Sequence, residues 1–141
     1  MKIIFNDYIP FKGFSAITVY PFVFVRDDAK INNRVINHEN IHAHQQVETI
    51  CLTAAVVVCG IITRILSPWF LLAIPISYYV FYVLEYAIRY ILYGFNHDAA
   101  YKNISSEQEA YLNDFDLTYL DRRKRFDNLK YLFKRTYRPK Q

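Results

Sequence analysis

Residues 38–42 read His-Glu-Asn-Ile-His, two imidazoles four positions apart with a carboxylate beside the first. On a helix, His38 and His42 lie about 40° apart around the axis and ~6 Å apart along it, so both rings can hold one metal ion from the same face. Glu39 projects about 100° away. Its carboxylate then stands beside the ion, where it can take a proton from water that the ion activates. Metal-assisted hydrolysis is the chemistry to which this points. The only cysteines, Cys51 and Cys59, sit in an apolar run, so a metal must use His and carboxylate ligands. Such a site has three protein ligands and an open position. His44 lies about 200° around the helix from His42 and points away. That leaves His97, Glu107 and Glu109 as candidates, and the two glutamates, about 200° apart on one helix, cannot both face the ion.

The elements that must position these residues follow from the surrounding pattern. With 141 residues, 53% of them apolar and 18% aromatic, the chain is neither disordered nor of low complexity and has room for one modest core. A single domain over residues 1–141 is expected. Residues 1–33 read as a β-rich segment, with IIF and AITVYPFVFV as strands punctuated by Pro10, Gly13 and Pro21. Asn32 or Asn33 then caps a helix that meets no Pro or Gly until Gly60, predicting one helix over 34–66 that carries His38, Glu39 and His42. A second apolar helix is expected over 69–93. Ser105 or Ser106 caps a further helix bearing Glu107 and Glu109, and apolar residues at helical spacing extend amphipathic character over 105–138. The fold class is therefore mainly α with a small N-terminal β segment, an α+β chain.

Residues 49–63 and 69–84 carry no charge, and Arg64 alone interrupts the interval between them. Residues 49–66 would span about 27 Å and residues 69–84 about 24 Å, slightly short of a ~30 Å hydrocarbon core. Continuing the second helix to Tyr93 makes a span feasible, because Glu85 and Arg89 pair at (i, i+4) on one face. A chain this small cannot wrap two helices that are apolar on every side. A transmembrane hairpin is expected, with oligomerisation the other way to cover them. The distribution of Lys and Arg fits a hairpin with both ends cytosolic, and the N-terminal residues lack the apolar core and cleavage site of a secretory signal. Residues 122–141 carry nine Lys/Arg against one Asp, while residues 1–121 carry eight Lys/Arg against twelve Asp/Glu. Next to an apolar hairpin this basic tail reads as a contact to anionic lipid, and no nucleic-acid partner is expected.

The order HExxH, two apolar helices, then ExxA resembles that of membrane-embedded zinc metallopeptidases of the gluzincin branch, which include the bacterial stress-response membrane proteases and the CAAX prenyl proteases. The chain also resembles small bacterial membrane proteins with an NHExxH segment, an apolar hairpin and an AYxNIS-x-ExEAY segment. The metallopeptidase resemblance covers residues 36–114. It implies that His38, His42 and Glu107 hold one zinc ion, that Glu39 is the catalytic base, and that Glu107 and Ala110 belong to the ExxA motif. The chain departs from the pattern at Tyr111, where the family has Asp or Asn, which keeps Glu109 as the second choice of ligand. His97, Tyr101 and Tyr111 are the candidate donors to the charge that develops on a peptide carbonyl. The expected protein is a small zinc metallopeptidase of a bacterial-type inner membrane, acting on a peptide or protein substrate. The alternatives are a non-catalytic membrane protein that binds or senses metal, and a soluble helical interaction protein with a vestigial motif.

Overall fold

The computed structural model describes residues 1–10, 14–29 and 31–135. The chain is mainly helical with a small three-stranded sheet at its N-terminus. Strands β1 (Lys2–Asn6), β2 (Ala16–Val19) and β3 (Phe22–Arg26) are β-branched and aromatic runs that favour extended backbone. Pro21, which has no N–H to give to a ladder, interrupts the AITVYPFVFV run. Its two halves pair antiparallel with Thr18 opposite Val23. β1 joins the other side of β3 in parallel, Ile3 beside Val23. The order β1-β3-β2 leaves β2 at an edge, where Thr18 is buried.

Helix α1 (Asn33–Ile62) begins where the Asn32 side chain accepts from Val35 N at 3.0 Å. It carries the HENIH segment within its first three turns. It ends short of residue 66, because Arg64 adopts a left-handed φ of 58° and Gly60 O accepts from both Ile65 N and Leu66 N. The chain doubles back so closely that a Cβ on Gly60 would lie 2.6 Å from Leu66 Cδ1, a close approach that glycine permits. A 3-10 turn follows at Pro68–Ala73, and α2 spans Ser77–Leu92. The single helix expected over 69–93 is thus split, since Pro75 can neither donate to the preceding turn nor avoid clashing with it.

Gly94 and Phe95, both left-handed, close α2, and Asn96 caps α3 (His97–Lys102) by accepting from Ala99 N. Helix α4 (Ser105–Asn113) lacks the expected serine cap; Ile104 holds the cap position without a side-chain bond. Glu85 of α2 replaces it, accepting from Ser105 N at 2.8 Å and from Ser105 Oγ at 2.6 Å. A carboxylate from another element thus meets the positive end of the α4 dipole. The amphipathic helices expected over 105–138 reduce to α4, a single turn α5 (Tyr119–Arg122) and a 3-10 turn at Asp127–Tyr131. Asp116 Oδ1 accepts from Thr118 N, a local turn that competes with continued helix. Arg123 is drawn inward to Glu48 and Glu109. Residues 136–138 of the expected stretch lie outside the described residues.

Ile41, Ala110 and Tyr119 form a small apolar core, but much of the interior is polar: Glu39, Gln45, Gln46, Asn103, Gln108 and Glu109 are all buried. Outside, Val56, Ile62, Trp69, Phe81, Val83 and Ile88 are exposed. Among the described residues α1 is the one helix long and apolar enough to cross a membrane by length and composition.

Candidate metal centre

The first turns of α1 present His38 and His42 on one face with Nε2 atoms 3.1 Å apart. Helix α4 brings Glu107 over them. Its Oε2 lies 3.5 Å from His38 Nε2 and its Oε1 lies 3.4 Å from His42 Nε2. Ligand bonds of 2.0–2.1 Å in a tetrahedron separate donor atoms by about 3.3 Å, which matches these spacings. Glu107 Oε2 is buried and has no hydrogen-bond donor. A buried carboxylate oxygen without a donor is costly, and a cation at this point would satisfy it. The three residues therefore fit a metal ion, and their His/His/carboxylate set suits zinc among others.

The same closeness sets the charges of the cluster. Burial opposes a charged His42 ring, but the Glu107 carboxylate, aided by Glu39, outweighs burial and raises His42 to about 9. Burial likewise works against the Glu107 anion, and the two imidazoles overcome it, holding the carboxyl well below its ordinary range.

Surrounding groups aim each ligand. Asp114 Oδ2 lies 3.6 Å from His38 Nδ1, on the same α4 face as Glu107 and two turns later. Tyr111 packs edge-on against the His38 ring at 4.7 Å between centroids. Asp114 is fixed in turn by Arg34 at 2.7 Å. His42 Nδ1 lies 2.9 Å from Gln45 Oε1. Glu107 Oε1 accepts from Tyr82 OH at 2.8 Å.

Glu39 is buried beside this cluster, although two turns of helix could have left it in solvent. Thr18 on the β2 edge donates to Glu39 Oε2 at 2.7 Å. Gln46 and Tyr79 lock that strand in place, both donating to Thr18 O, at 2.7 and 2.9 Å. His38, Glu39, His42 and Glu107 share the wall of a cleft of about 360 Å³ whose remaining lining includes Ile17, Thr18, Tyr78, Tyr82, Tyr86, His97 and Tyr101.

Of the other sequence candidates, Glu109 faces the opposite way. It is fully buried and held by Tyr119 OH at 3.0 Å, by Gln45 Nε2 at 3.0 Å and by Arg123, and it lies outside the group that could hold a metal ion. His97 stays out of the ligand group. It is exposed at the cleft, its Nδ1 2.9 Å from Tyr86 OH. Tyr111 is not on the cleft wall, whereas Tyr101 is. His44 is exposed and donates to Asn40 O within its own helix. The sequence reading missed Thr18, Gln45, Tyr82 and Asp114. Gln45 and Asp114 could have been found, since each lies on the ligand face of its own helix; Thr18 and Tyr82 carry no local signal. Comparison with protein-family models, curated proteins and solved structures finds no match to this chain.

Proposed function

We propose that the chain is a small integral-membrane metallopeptidase that uses one zinc ion, held by His38, His42 and Glu107. The observation that carries this reading is the meeting of those three ligands with the Glu39 carboxylate in one cleft. When bound, the ion supplies Lewis acidity to a peptide carbonyl and lowers the pKa of water. Glu39 is the base: Thr18 holds Oε2, so Oε1 accepts the proton from water and returns it to the leaving amine. With Tyr86 OH as donor to His97 Nδ1, 2.9 Å away, His97 carries its proton on Nε2, from which it binds the carbonyl oxygen as charge develops there. His97 suits this role better than Tyr111 because it lines the cleft.

In the same reading, the exposed apolar surface of α1 and α2 lies in the lipid of a bacterial-type inner membrane with both termini cytosolic. Lipid explains a molecule whose interior is polar and whose exterior is apolar. The substrate is a peptide or protein segment. Metal analysis of the purified protein beside His38→Ala and Glu39→Gln tests the proposal. His38→Ala loses the metal; Glu39→Gln keeps it and loses peptide hydrolysis. Equal metal content in the wild type and His38→Ala would end it.

A further inference from the structure

Glu109, freed from the role of ligand, heads a chain of hydrogen bonds that ends on one. Arg123 donates to Glu109 and also grips Glu48 of α1. Glu109 Oε2 accepts from Gln45 Nε2 at 3.0 Å, and Ser106 O lies 3.1 Å from the same nitrogen. With two acceptors facing its nitrogen, the Gln45 amide has one satisfactory orientation, with Oε1 toward His42 Nδ1, 2.9 Å away. Tyr78 OH lies 3.1 Å from that same Oε1, to which it can donate, and 3.3 Å from His42 Nδ1, so it packs against the bond between them. Every group in the chain is buried or half-buried, so water does not stand in for a missing partner.

We infer that Arg123, Glu109 and Gln45 are positioning residues that hold the proton on His42 Nδ1 and so make Nε2 the nitrogen that gives up its proton to a metal. The inference rests on the metallopeptidase reading for its purpose, but the hydrogen bond it describes exists with or without the ion. A ring nitrogen held this way fixes tautomer and orientation together, and losing such support costs 10–100-fold in metal affinity. Glu109 acts at a distance through charge. An amide at position 109 gives its oxygen to Arg123 and turns its NH₂ toward Gln45 Nε2. The conflict of two donors favours a flipped Gln45, which offers NH₂ to His42 Nδ1 and sends the ring proton to Nε2.

The test uses the full chain labelled with ¹⁵N-histidine in detergent micelles, with Gln45→Leu, Glu109→Gln and a His42→Asn variant to assign the signal. In metal-free wild type, brought to a pH at which the ring is neutral, the His42 Nδ1 proton is seen at low field in slow exchange. It disappears in Gln45→Leu and in Glu109→Gln, while circular dichroism reports the same helix content. Zinc affinity from chelator competition falls 10–100-fold in both, although neither side chain touches the ion. Glu109→Gln is isosteric and decides the matter if Gln45→Leu does not fold. Persistence of the proton in a folded variant, or zinc affinity within twofold of wild type, overturns the relay. A wild type that binds no zinc sinks the metallopeptidase reading instead, and the proton signal still decides the relay.

Discussion

The charge on His42 makes the pH dependence of the centre a matter of one residue. With the ring raised to about 9 by Glu107, a metal must displace a proton at neutral pH. Glu107 stays ionised throughout because its carboxyl is held well below the usual range. Apparent metal affinity then rises about tenfold per pH unit below 9 and levels off above it. Chelator competition between pH 6.5 and 8.5 checks the slope, and a flat profile would contradict the ion pair. The sign for stability is the reverse. A folded pKa above the unfolded value of 6.5 contributes stability that is full below 6.5 and is lost as pH rises through 9, so the metal-free protein is expected to be less stable at pH 9.5 than at pH 6.

Between elements, the decisive joint is the pair on α2. Arg89 is buried, bonded to Glu85 at 2.8 Å, and donates to Leu132 O and Lys134 O at 2.7 and 3.2 Å. Glu85 in turn caps α4 through Ser105, so two side chains tie α2 to the glutamate-bearing helix and to the C-terminal segment. Removing one partner of a buried pair leaves the other charged and unmatched, at a cost of about 3 kcal/mol or more. Arg89→Met is expected to lower the thermal midpoint in detergent by about 10 °C, read by circular dichroism. A change within 2 °C would show the joint to be dispensable. Metal content is expected to fall along with it, because Glu85, the partner of Arg89, also caps the helix that carries Glu107.

At the scale of the whole molecule, many polar side chains are buried and many large apolar ones exposed among the described residues. Buried Gln, Asn and Glu side chains bond to backbone carbonyls and to neighbouring polar side chains, while Trp69, Phe81, Val83, Leu84 and Ile88 on the loop and α2 are exposed. Contiguous apolar surface on this scale calls for a covering. The protein is therefore expected in the membrane fraction of cells that express it, resistant to extraction by high salt and alkaline carbonate and released by detergent. Recovery as a monomer without detergent would refute the membrane reading while leaving the metal cluster intact. The basic C-terminal stretch divides in this setting: Arg123 turns inward to Glu48 and Glu109, and Lys124 and Arg125 remain exposed to meet anionic headgroups.

Local rules were enough for whatever lies within one or two turns of helix. The four-residue spacing of His38 and His42 and the Glu85–Arg89 pair are set by the pitch of the backbone, so the sequence by itself determined them, and it narrowed the cap to Asn32 or Asn33, of which the structure takes Asn32. Pro75 is equally local, yet the helix expected over 69–93 runs through it; the power of proline to end a helix makes α2 begin at Ser77. Which of Glu107 and Glu109 joins the histidine pair was different. Helical geometry says only that the two face apart; which face meets the histidines depends on Arg123, Tyr119 and Gln45 claiming Glu109 from elements up to 64 residues away. The burial of Glu39 under Thr18 and the placing of Asp114 behind His38 were likewise decided only in the tertiary structure, because a buried polar group takes whichever partner packing brings within reach, and packing is not written in any one segment.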